Sequence, residues 1–169
     1  MNTKLSALVR PALIAATLVG TGTALAATTP ADREFATTAA KANAAEIAIG
    51  RLAATHAQDA NVKAFGERMV ADHTKAADGL KTAATEDGIT LPATPASNPD
   101  ADRLARLQGA EFDRAFGEQM RGDHDKAVAL FRKEAGANGD AQVKAFAAKT
   151  LPTLEEHQKM AQSLPGASK

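Results

Sequence analysis

The sequence predicts an all-α fold, a four-helix bundle, on three observations. Alanine is abundant and β-branched residues are sparse, which favours helix over strand. Apolar residues recur at spacings of three and four rather than two, the period of a helix with one buried stripe. Beyond residue 26, turn signals divide the chain into four long stretches of about 25 residues, with short links inside each pair and a longer link between the pairs.

The opening, MNTKLSALVRPALIAATLVGTGTALA, reads as a signal peptide. Lys4 and Arg10 precede an apolar run, and Ala24-Leu25-Ala26 supplies the small residues of a cleavage site after Ala26. The run is shorter than the roughly 20 residues of a spanning helix and is diluted by Gly and Thr, so a retained anchor is the lesser alternative. The expected organisation is residues 1–26 as signal and 27–169 as a single domain, exported to the periplasm or beyond.

Within that domain, Thr29 is expected to cap the first helix, with Pro30 in its first turn, and the helix to end near His56. Asp59 should cap a second helix that stops at Asp87-Gly88. Residues 89–101, ITLPATPASNPDA, form the Pro-rich connection, and ADRLARLQG a short helix. A third long helix is expected over Glu111 to Ala135, and Asp140 is expected to cap the last, which Pro152 should kink. The middle connection is long enough for a ferritin-like crossover, although spacing alone does not choose the topology.

One segment occurs twice. FGERMVADHTKA at residues 65–76 returns as FGEQMRGDHDKA at residues 116–127. On the predicted stripes the second helix reads Val62, Phe65, Met69, His73, Ala76, Leu80, and the third reads Phe112, Phe116, Met120, His124, Ala127, Phe131. The first reads Phe35, Ala39, Ala42, Glu46, Ile49, Ala53, and the last Val143, Phe146, Thr150, Leu154, His157, Ala161, Leu164. Each helix thus turns one ionisable residue inward: Glu46, His73, His124 and His157.

At a rise of 1.5 Å per residue, Glu46 lies about 15 Å and His73 about 20 Å from the first hairpin turn, while His124 and His157 lie about 18 and 25 Å from the second. The last two therefore need a stagger to meet. Met69, Met120 and Met160 fall three or four residues from a histidine, on the same helix face. Imidazole with thioether suits copper(I), whereas Glu46 with imidazoles suits iron, zinc or copper(II). Asp72 and Asp123 either accept from a histidine of a neighbouring helix or face water. Two readings stay open: a metal site, with copper or iron as the ion, or a buried hydrogen-bond network that fixes helix register.

Several classes are disfavoured. With no Cys, disulfides and a cysteine-linked lipid anchor are excluded. Without Tyr or Trp, stacking surfaces for bases are poorly served. Loss of Lys4 and Arg10 leaves 18 basic residues against 20 acidic, a net charge of −2 with no basic patch, so nucleic acid is not an expected partner. No later run is apolar enough to span a membrane. Val70, Arg121 and Leu154 stand three before the histidines, where a di-iron carboxylate bundle carries glutamates. No phosphate loop or nucleophile motif argues for an enzyme. No feature of the sequence specifies an oligomeric state.

The stretches EIAIGRLA at 46–53, VKAFGERMVADHTKA at 62–76, AEFDRAFGEQMRGDHDKAVALF at 110–131 and VKAFAAKTLPTLEEH at 143–157 together resemble the exported bacterial family called domain of unknown function 4142 (DUF4142). The resemblance covers nearly all of residues 27–169. It implies a ferritin-like helical bundle in the cell envelope, and a polar signature at Glu46, Asp72, His73, Asp123, His124 and His157.

Overall fold

The computed structural model describes residues 28–95, 97–138 and 141–166. The expected signal peptide, residues 1–26, lies outside the described residues. Five helices and no strand occur among them: α1 (Pro30–His56), α2 (Ala60–Glu86), α3 (Pro99–Leu104), α4 (Gly109–Ala135) and α5 (Gln142–Ala161). None is long and apolar enough to cross a membrane.

Local chemistry accounts for the helix ends. Thr29 accepts from the Asp32 N–H while the Asp32 carboxylate accepts from the Thr29 N–H, a reciprocal cap just ahead of Pro30. Asp59 accepts from the Asn61 N–H at 2.7 Å, and α2 stops at Asp87 ahead of Gly88, whose φ of 65° suits glycine. Asn98 caps the short α3. The start of α5 differs from the expectation. Its N-cap is Ala141, and the N–H groups of Gln142 and Val143 are accepted, both at 2.8 Å, by Asp87 at the far end of α2. Asp140 lies outside the described residues. Pro152 sits inside α5, where the Ala148 carbonyl loses its usual partner.

The helices form a ring in the order α1, α2, α5, α4. Asp113, near the start of α4, accepts from the N–H groups of Gln58 and Asp59 at 3.1 and 2.9 Å, so α4 begins beside the α1–α2 turn. Because α2 ends beside the start of α5, the segment between α2 and α4 must travel the length of the bundle. On the way α3 rests on α1 and α4.

The core falls into two apolar clusters. One holds Phe35, Leu80, Val128, Phe131 and Leu154; the other holds Ile49, Phe65, Met69, Phe116, Met120 and Ala161. Between them every long helix crosses one polar level: Asn43 and Glu46 on α1, His73 on α2, His124 on α4 and His157 on α5, all buried. The doubled segment now has a physical reading. In each copy Phe and Met fill one cluster, His enters the polar level, and Gly permits close approach. A Cβ on Gly66 would meet the Gly50 carbonyl oxygen at 2.8 Å, and one on Gly117 would collide with the Pro165 carbonyl.

Several stripe positions need correction. Ala42 is exposed and Asn43 is buried in its place, and on α5 Phe146 and Thr150 are half-buried while Ala147 is fully buried. A seam that steps alternately by three and four can take either neighbour, and interhelical rotation decides which. Burying Asn43 is tolerable because both its amide nitrogen and its amide oxygen are hydrogen-bonded to His73, as described next.

Candidate metal centre

His73, His124 and His157 meet. Their rings lie 5.5 to 5.9 Å apart between centroids, and each offers one ring nitrogen such that all three lie within 4.8 Å of one another. The stagger that His124 and His157 require is therefore achieved. Phe65 packs its edge against the rings of His124 and His157, at 6.0 and 6.3 Å, and closes the side toward the second apolar cluster.

The outward nitrogens determine the state of the inward ones. His124 Nδ1 lies 2.8 Å from the Met120 carbonyl, which can only accept, so Nδ1 carries the proton. Asn43 Nδ2 donates to the His73 carbonyl at 2.7 Å, which orients Asn43 Oδ1 as an acceptor 2.6 Å from His73 Nδ1. That nitrogen is also the donor. On α5, His157 Nε2 donates to Asp72 Oδ2 at 3.0 Å. The remaining atoms, His73 Nε2, His124 Nε2 and His157 Nδ1, are thus bare lone pairs, and all three are buried without a hydrogen-bond partner.

Three acceptors face one another with no donor among them. Each buried, unsatisfied acceptor costs about 1–3 kcal/mol. Protonation is not a cheap remedy. Burial, then the neighbouring His124 and His157, push the His73 imidazole down to about 3, and burial holds His124 at about 4 against the opposing Met120 carbonyl. Burial also lowers His157, although Asp72 works the other way. A metal cation would supply what the arrangement lacks. Three neutral imidazoles, each steadied by an amide, a carbonyl or a carboxylate, form the usual surroundings of a histidine-ligated ion. Nitrogens at about 2.0–2.1 Å from a tetrahedral ion stand about 3.3 Å apart, so the rings would draw together by an ångström or so on loading.

The other sequence candidates are placed around this ring. Glu46 is not among the groups that meet within 4.8 Å. It lies on the same level, 5% exposed, with Oε2 unpartnered, and burial followed by the Asp123 charge raises its carboxyl to about 8. Glu46 and His73 both line a cavity of about 410 Å³ that Asp123 also borders. Asp123 accepts from Gln119 at 2.6 Å and from Lys126 at 3.4 Å, both on its own helix. Asp72 serves differently, taking Arg68 at 3.1 Å as well as His157, and those contacts lower its carboxyl despite burial. Met69 and Met120 are fully buried in the second apolar cluster, and Met160 packs partly buried against it. Glu155 and Glu156 point outward, to Arg132 and Arg68.

Sequence reasoning missed Asn43. No periodic signal distinguishes it from Ala42, and only its amide contacts with α2 reveal the role. It also missed a second buried polar group at the other end of the bundle, where Lys144 donates to Asp32 and Glu134 is buried beside them.

Among solved structures the fold is similar to the crystal structure of a DUF305 fragment from Deinococcus radiodurans. The match has a TM-score of 0.68 and 16% identity, and covers 80% of this chain and 95% of that one. At that identity the likeness concerns the fold. No curated protein matches. The family model for DUF4142, a domain of unknown function, matches residues 19–164, the span that carries the whole helical ring and the histidine level, and the chain accordingly belongs to the DUF4142 family.

Proposed function

We propose that this protein is an exported, non-enzymatic helical bundle that binds one metal ion through His73 Nε2, His124 Nε2 and His157 Nδ1. The ion is copper or iron, and the role is metal handling or protection in the cell envelope. One observation carries the reading: three buried lone pairs converge while the opposite nitrogen of every ring is committed to a hydrogen-bond acceptor. Imidazole donors suit copper and iron, and the order of affinities among divalent ions favours copper. The bundle is read as ferritin-like on its lengthwise crossover between α2 and α4. Export rests on the N-terminal signal pattern.

Chelated, full-length mature protein should take up about one copper per chain, and copper at a hundredfold excess over its dissociation constant should stabilise it by about 2.7 kcal/mol in thermal melts. Replacing all three histidines by Ala should abolish both. Uptake unchanged in that variant would overturn the assignment.

The second reading, a register-fixing network, draws on the links between helices that the outer nitrogens make, Asn43 to His73 and His157 to Asp72. It predicts no melting shift with any of copper, iron or zinc.

A further inference from the structure

Two cavities border the histidine level, and their linings differ in charge. The first, about 410 Å³, is lined from all four long helices and by Asp100 of α3, and of the three histidines it touches His73. Its lining includes exposed Asp100, half-buried Asp123 and buried Glu46 and His73, with Lys126 as a counter-charge. The second, about 330 Å³, lies between α2 and α5. It touches His73 and His157 and is bordered by Asp72, Lys75 and Lys149. Even leaving Glu46 aside, the first mouth carries two carboxylates against one ammonium and the second two ammoniums against one carboxylate. Carboxylates at both mouths have partners, Asp72 in Arg68 and His157, Asp123 in Gln119 and Lys126, and Asp100 in Arg103 at 3.8 Å, so it is the balance of charges that differs.

Glu46 distinguishes the first cavity further. Its side chain is 5% exposed and its Oε2 has no hydrogen-bond partner, although it borders a space large enough for an ion with water. A register-holding carboxylate would have found a donor. An oxygen ligand for a passing cation keeps its lone pairs free.

We propose that Glu46, with Asp123, forms a second, weaker divalent-cation site, the carboxylate station through which an ion entering past Asp100 reaches the histidines. This rests on the histidine centre binding a cation. Hard oxygen donors on the path would strip water from the ion one ligand at a time, and imidazole nitrogens at the end would hold it more firmly. The second mouth, with its ammonium groups, would repel it.

Cobalt(II) is a suitable probe because its visible absorption reports nitrogen coordination. Stopped-flow mixing of Co²⁺ with chelated, full-length mature protein should show one ion reaching the histidines. The pair Asp100→Asn with Asp123→Asn should slow that arrival about tenfold, the lower end of electrostatic steering, and Glu46→Gln, which cannot exchange a proton for the ion as the Glu46 carboxyl can, should slow it to a similar extent, each with the final spectrum and one-to-one occupancy kept. Lys149→Gln at the other mouth should leave the rate as it was. Unchanged rates in both acidic variants would overturn the proposal. So would a Glu46→Gln variant that binds at the normal rate but releases Co²⁺ faster, since Glu46 would then be a ligand of the centre itself. Wild-type protein that takes up no Co²⁺, Cu²⁺ or Fe²⁺ would instead remove the histidine centre, and this route with it.

Discussion

The bundle contains two buried polar groups of opposite character. At the end near the α1 N-terminus, Asp32, Lys144 and Glu134 bring charges of both signs together: Lys144 donates to Asp32, which also accepts the Thr29 N–H. Burial works to raise Asp32, but Lys144 and Thr29 overcome it and hold the carboxyl at about 2. Only Glu134 Oε1 lacks a partner there, and burial followed by Asp32 raises the Glu134 carboxyl. At mid-length, the three histidines present acceptors alone. The first group clasps α1, α4 and α5 with its own charges. The second leaves three buried lone pairs without a donor, and on the reading proposed above that difference separates a structural ion pair from a binding centre even though both are buried.

Acid should separate them most strongly. A histidine whose folded value is depressed adds stability that is fully present above the unfolded value of 6.5 and is lost as pH falls through the folded one. For His73 and His124 the loss runs from 6.5 down to about 3 and 4. Asp32 likewise stabilises above 3.8, but gives way only as pH approaches about 2. The metal-free protein should therefore unfold from the histidine level first, by circular dichroism. The triple His→Gln variant should unfold at lower pH, and an unmoved midpoint would show that the histidines do not set it. Glu46, raised to about 8, acts in the opposite sense, its contribution declining as pH climbs from 4.5 through 8.

Lys144→Ala strikes the clasp alone. It leaves Asp32 buried without its cation and should cost about 3–5 kcal/mol in urea unfolding while copper stoichiometry stays the same. Any parallel loss of copper from folded protein would mean that the two levels are coupled. Gly66→Ala should cost about 1–3 kcal/mol, because the added methyl forces α1 from α2, and it tests whether the histidine level depends on that close approach. The smallest stability effect is expected where the metal effect is most specific. Asp72→Asn or Asn43→Ala, read by competition with a copper chelator, should weaken affinity about 10- to 100-fold by releasing the outer nitrogen of His157 or His73.

Much of this was legible along the chain. Thr29, Asp59 and Asp87-Gly88 act through neighbours a few residues away, so helix ends could be assigned from local chemistry. The FxxxMxxxH spacing put His73 and His124 on inner faces for the same reason. Asn43 and the Asp87 cap on α5 were not legible, since the first differs from Ala42 only through a small rotation of α1 and the second joins residues 55 and 56 apart.

The sequence by itself determined that the chain is helical, where its first two long helices begin and end, and that each long helix carries one ionisable residue on its inner stripe near mid-length. Those properties follow from caps and a 3.6-residue period, both local. Only the tertiary structure decided that three of those four side chains close into one ring, that Glu46 stands beside it, and which nitrogen of each histidine faces inward. Such choices depend on the rotation and stagger of packed helices, set by glycine contacts and hydrogen bonds between residues as far apart as Asp72 and His157, which no local period encodes.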